Sequence, residues 1–213
     1  MDDKVIRLRA GQTAVVGYGA LLLRESIGSF IRLAYDRPFA TCYVEGWRRC
    51  WNVGMPNAAF YFEQNAVRIY PEKIVYLNVR PADTLLNCVL FVLEASELEV
   101  LHRCEWIYYP VRVNDSLRHV RVHGGDAILY CGRPDFHVGP IRSPVEGGIR
   151  ASYVKTIDAA LDSIGALFRT DYEQSTDPVP QHLVIDDRFD PDRPNPWASV
   201  GLEYRPDDRV PSS

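Results

Sequence analysis

The chain has 213 residues, 46% of them hydrophobic and 24% charged, with a formal net charge of -4 at pH 7. That balance is ordinary for a globular protein, its negative sign argues against a nucleic-acid partner, and the sequence contains no 18-residue apolar run of the kind that spans a membrane. Five cysteines, odd in number and without paired short spacing, point to reduced thiols in a cytoplasmic setting rather than to a disulfide framework. Met1-Asp2-Asp3-Lys4 lacks the apolar core of a signal peptide. The length suits one domain over 1–175 followed by a Pro- and Asp-rich arm over 176–213.

In chain order, the first strand is expected at 13–17, ending in Gly17-Tyr18-Gly19 before a second apolar run, Ala20-Leu21-Leu22. Glycines there let the backbone turn sharply and let a ligand approach main-chain N–H groups. Residues 21–35 fit either a short helix or an irregular loop. Residues 40–53 are rich in aromatic and β-branched types and read as a strand, with a bend or bulge at Gly46. Gly54-Met55-Pro56-Asn57 reads as a turn, and 58–62, 66–70 and 74–79 as further short strands. The nearly continuous apolar run 86–93 suits a strand buried on both faces.

The period then changes. Ser96 and Glu99 have capping-box spacing and are expected to open a helix of about ten residues. Leu98, Leu101 and Glu105 fall on one face of that helix. Strand patterns return at 107–113, 118–123 and 126–130, with a turn at 123–126. Val154, Ile157, Leu161, Ile164 and Phe168 recur at helical spacing and predict one amphipathic helix over 152–170. From Ser175 onward the chain reads as an extended arm lying on the surface and fraying at 209–213. Many short strands with few helices predict an α+β fold: a small, mostly antiparallel β-barrel or curled sheet with packed helices.

Several chemistries fail on spacing. Gly17-Tyr18-Gly19 lacks the third glycine of a dinucleotide fingerprint. His102, Cys104 and Glu105 have no second pair at metal spacing, so no metal site is expected. The acidic run 186–192 lacks the glycine and final Glu of a calcium loop. Trp47, Arg48, Arg49 and Trp51 fit either a cation–π surface or ordinary core packing. Glu105 stands out because a carboxylate on an apolar helix face has its charged form disfavoured, which tunes it for proton transfer near neutral pH. A structural pairing with Arg48, Arg49 or Arg103 would account for it equally well.

Taken together, Tyr18-Gly19-Ala20-Leu21 after the first strand, Gly46-Trp47-Arg48-Arg49-Cys50-Trp51, and a helix-terminal Glu105 shortly before Tyr108-Tyr109-Pro110-Val111 resemble the gamma-glutamylcyclotransferase-like superfamily, including its ChaC-type and AIG2-like members, over roughly 13–172. The resemblance implies an enzyme that cyclises a γ-glutamyl group to 5-oxoproline with release of an amine, amino acid or peptide. It assigns Glu105 as catalytic base and Tyr18, Gly19, Ala20, Leu21, Tyr108 and Tyr109 to substrate binding. It implies no metal, nucleotide or redox cofactor, a small-molecule γ-glutamyl substrate as partner, and a monomer or homodimer. Ala20 departs from the pattern, which usually has Ser there. The alternative is a non-catalytic protein that holds a small carboxylate on the same fold.

Overall fold

The structure is a computed structural model and describes residues 3–31 and 34–193. The chain opens with β1 (Lys4–Arg7) and β2 (Gln12–Gly17), then a 3-10 turn over Ala20–Leu22 and helix α1 (Arg24–Ile31). Two long strands follow, β3 (Phe39–Pro56) and β6 (Lys73–Glu94), separated by the short hairpin of β4 (Phe60–Gln64) and β5 (Val67–Ile69). Helix α2 (Ala95–Cys104) leads to β7 (Tyr108–Arg112), β8 (Leu117–Arg118), β9 (Val120–His123) and β10 (Ala127–Gly132). The chain continues through β11 (Ile149–Arg150), helices α3 (Ala151–Ile164) and α4 (Ala166–Gln174), and strands β12 (Val184–Ile185) and β13 (Arg188–Phe189).

Six strands form the main sheet in the order β7-β10-β2-β6-β3-β8. Every neighbouring pair in it is antiparallel except β10 with β2. This is the α+β architecture with a curled, mostly antiparallel sheet that the sequence predicts. A straight 22-residue strand would extend about 70 Å, far beyond a domain of this size. The β3–β6 ribbon instead shifts register between Glu45 and Trp47 and again between Cys50 and Val53. Gly46 has φ +87° at the first shift, in the region only glycine enters freely.

The pairing corrects four sequence expectations. The runs 74–79 and 86–93 are two ends of one strand, β6. The segment between them, which includes Pro81 and Asp83, is carried past the Gly46 bulge, where Thr84 Oγ1 donates to Trp47 O at 2.6 Å. Residues 54–56 remain in β3, with Met55 opposite Ile74. The turn comes after them, where Asn57 Nδ2 donates to Phe60 O (2.7 Å) and Phe60 N to Asn57 Oδ1 (3.0 Å). Helix α2 is capped two residues early, by Glu94 reciprocating with Glu97, because the end of β6 presents Glu94 in extended geometry at the cap. The stripe 152–170 is split into α3 and α4 at Gly165, whose φ of +122° cannot continue a helix.

The core lies along β2, β6 and β10. Every residue from Leu86 to Leu93 is buried, as a strand covered on both faces requires. Burying each large side chain there contributes about 1.5–3 kcal/mol. Ile157 and Leu161 of α3 and Phe168 of α4 pack onto the same cluster. After α4, Ser175 and Thr176 are buried, β12 pairs in parallel with β11, and β13 pairs with β4. The segment expected to fray, 209–213, lies outside the described residues. Among the described residues no helix is long and apolar enough to cross a membrane.

Candidate functional site

The glycine turn follows directly from the end of β2. Gly17 is paired with Val89 of β6, and a Cβ on it would stand 2.6 Å from Leu21 O. A Cβ on Gly19 would stand 2.8 Å from Tyr153 Oη. Both positions therefore need a residue without a side chain. The Tyr18 ring is buried, and its hydroxyl donates to Tyr130 O at 2.9 Å, tying the turn to β10. Arg49, 0% exposed, donates through Nε to Tyr18 O at 2.8 Å. In a trans peptide the C=O and the following N–H point in opposite directions. Arg49 thus holds the Tyr18 carbonyl on its own side and turns the Gly19 N–H away from it. The Leu22 N–H is occupied by Gly19 O at 2.9 Å. The main-chain donors the turn can offer a ligand are therefore those ahead of Leu22.

Facing this turn is the end of α2. Glu105 is the C-terminal cap: its N–H donates to Leu101 O and its carbonyl accepts from Tyr108 N, both at 2.8 Å. Leu101 is fully buried and fixes the helix against the core, so Glu105, one turn on, is aimed inward and half-buried. Glu105 and the turn line one cavity of about 840 Å³ of non-atom space, its open mouth included. Tyr18, Gly19, Ala20 and Leu21 form one wall; Cys104, Glu105, Ile107 and Tyr108 form another. Ser26 and Phe30 of α1, Tyr76 and Leu77 of β6, and Tyr130 of β10 contribute to the rest, with Arg150 at the end of β11 and Tyr153 and Thr156 of α3.

The electrostatics of this cavity favour neutral phenols around one carboxylate. Burial raises the pKa of Tyr18, Tyr108, Tyr130 and Tyr153, and a negative charge on Glu105 adds to the rise in all four. They remain hydrogen-bond donors through the neutral range. Two of those donors serve the fold: Tyr18 holds Tyr130 O, and Tyr108 Oη donates to Leu77 O at 2.7 Å. Tyr130 Oη lies 2.7 Å from His102 Nδ1. Arg150, also in the lining, is buried, with its guanidinium 3.5 Å from Asp187 Oδ2 and 4.0 Å above the Phe60 ring.

Of the residues picked from sequence, Glu105, Tyr18, Gly19, Ala20, Leu21 and Tyr108 meet at this cavity. Tyr109 does not. It follows Tyr108 in β7, where side chains alternate between faces, and it is 39% exposed with its hydroxyl toward Cys131. Arg48 and Arg49 are engaged elsewhere. Arg48 Nε bonds Asp177 Oδ1 at 2.6 Å, and Arg49 stacks over Tyr172 at 4.1 Å while bonding Asn87, Ser175 and Thr176. Trp51 Nε1 donates to Asp177 O at 3.1 Å, so this segment clasps the arm rather than forming an open cation–π surface. Sequence reading missed Ser26, Tyr76, Tyr130, Arg150 and Tyr153. Tyr76 and Tyr130 stand in recognised strand patterns and Tyr153 in the predicted helix, but no local pattern assigned any of the five to the cavity.

Neither a protein-family model nor a curated protein matches the sequence. Solved structures do match the fold. One is a gamma-glutamyl cyclotransferase, with 12% identity, a TM-score of 0.51 and coverage of 79% of this chain and 90% of that one. A second, a yeast gamma-glutamyl cyclotransferase specific to glutathione, has 12% identity, a TM-score of 0.48 and coverage of 78% and 96%. An Arabidopsis thaliana protein solved in solution has 15% identity, a TM-score of 0.37 and coverage of 62% and 78%. The likeness to the first of these is one of fold: the chain has the gamma-glutamylcyclotransferase-like fold.

Proposed function

We propose that the protein cyclises a γ-glutamyl group to 5-oxoproline and releases an amine, amino acid or peptide. The observation that carries this reading is that Glu105 and the Gly19–Leu21 turn line the same cavity. The turn's main-chain N–H groups receive the substrate's α-carboxylate. Glu105 accepts a proton from the α-ammonium, and the freed amine attacks the γ-carbonyl carbon to form the ring C–N bond. The bond to the departing nitrogen then breaks as Glu105 returns the proton to it. Holding amine and carbonyl in reach makes the closure effectively unimolecular, worth about 7–11 kcal/mol of barrier in well-oriented cases.

The surroundings support these roles. The phenols are held neutral by burial, which leaves Glu105 as the carboxylate among the lining residues to take up a proton. Ala20 favours a second reading, a protein that holds a small carboxylate without turning it over. Glu105→Gln separates the two. Its loss of proton transfer is expected to lower 5-oxoproline release about 10²–10⁴-fold while ligand-induced thermal stabilisation persists. Release at the unaltered rate would remove Glu105 from the chemistry. Stabilisation by γ-glutamyl amides with no product from the unaltered protein would favour the binder.

A further inference from the structure

Ser26 stands in the first turn of α1, is 3% exposed, and lines the cavity beside Ala20 and Leu21. Its Oγ has no hydrogen-bond partner. Helical hydroxyls usually satisfy themselves on a carbonyl of the preceding turn, and others in this chain do. Ser29 Oγ donates to Glu25 O at 3.1 Å in the same helix, and Thr170 Oγ1 to Ala166 O at 3.2 Å. Thr156, another cavity residue, donates to Ser152 O at 3.0 Å. Ser26 Oγ makes no such bond, and a buried hydroxyl left unmade is unfavourable unless something else completes it.

The position says what that is. The turn that presents main-chain donors runs directly into α1, and its middle residue, Ala20, has no side-chain donor to add. We infer that Ser26 is a specificity-determining residue whose hydroxyl donates to an oxygen of the substrate's α-carboxylate; this rests on the function proposed above. The hydroxyl is held in a ligand-free cavity at a cost to the fold and is satisfied when a carboxylate arrives. Substrates lacking that carboxylate gain nothing from it.

The test compares the unaltered protein with Ser26→Ala, which keeps the helix and removes one oxygen. KM for a γ-glutamyl anilide is expected to rise about ten- to hundredfold, with kcat within about twofold, the range of one hydrogen bond to a charged group. Thermal stabilisation by 5-oxoproline should weaken, whereas the response to 2-pyrrolidinone, which lacks the carboxylate, should not change. The ligand-free melting midpoint should stay equal or rise. An unchanged KM overturns the assignment, and so does a lowered ligand-free midpoint, which marks a hydroxyl already satisfied within the fold or by water. If the unaltered protein turns over no γ-glutamyl amide, the proposed function fails by itself. Ser26 is then judged on binding: loss of the preference for 5-oxoproline over 2-pyrrolidinone in Ser26→Ala supports it, and an unchanged preference, or no binding of either, overturns it.

Discussion

Replacing Arg49 by Met tests how the glycine turn is held. Arg49 is the largest fully buried side chain among the described residues and lies in a web of neutral acceptors: Tyr18 O, Asn87 O and Oδ1, Ser175 Oγ and Thr176 Oγ1. Burial lowers its pKa from the usual guanidinium value, so the charge stands there against a desolvation cost. Methionine removes that cost and fills much of the volume, but it strands acceptors. Ser175 Oγ still shares its one hydrogen between Asp171 O at 2.7 Å and Asn87 Oδ1 at 3.1 Å, and Thr176 Oγ1 keeps Tyr172 O at 2.5 Å. The backbone carbonyls of Tyr18 and Asn87 each lose the guanidinium. At about 1–3 kcal/mol for each stranded buried acceptor, the expected loss is roughly 2–6 kcal/mol. For a domain of this size that is a fall in melting midpoint of roughly 5–20 °C. Circular dichroism melts and urea titration would measure it. Arg49→Lys, which keeps charge but cannot bridge all the acceptors, should fall between the two proteins. A loss below about 1 kcal/mol for Arg49→Met would refute the reasoning, because it would mean that the desolvation relief equals the whole web.

Two further outcomes follow from the same geometry. Gly19→Ala places a Cβ 2.8 Å from Tyr153 Oη and should lower both stability and affinity for a γ-glutamyl ligand; adding Tyr153→Phe should recover part of the stability, with a coupling of about 0.5–3 kcal/mol in urea titrations, and strictly additive effects would contradict the contact. His102 has its pKa lowered by burial, so the folded state takes up its proton at lower pH than the unfolded chain does. Its contribution is complete above about pH 6.5 and is lost as pH falls below that value. A urea midpoint that drops between pH 8 and pH 5.5 in the unaltered protein should drop less in His102→Gln, and an equal drop would rule the group out.

Much of the site was legible because its parts are local. A glycine turn after an apolar run, and a carboxylate one turn beyond Leu101, are features of a few adjacent residues, and backbone sterics and helix periodicity dictate them wherever they fold. The strand 86–93 was legible for the same reason: unbroken apolar sequence requires cover on both faces. Tyr109 was misplaced because a motif gives two adjacent tyrosines no faces; the register of β7 on β10, with Tyr109 opposite Cys131, assigns them.

The sequence by itself determined the short-range pieces: a glycine turn after an apolar run, the apolar stripe over 154–168, and an acid at a helix end. Only the tertiary structure decided that β6 is one bent strand, that Arg49 underpins the turn from 31 residues away, and that Ser26, Arg150 and Tyr153 complete the cavity. The reason is one of range. Local conformational preferences act over a handful of residues, whereas the walls of a cavity come from whichever distant segments bury their apolar faces together, and that choice is made by the whole chain at once.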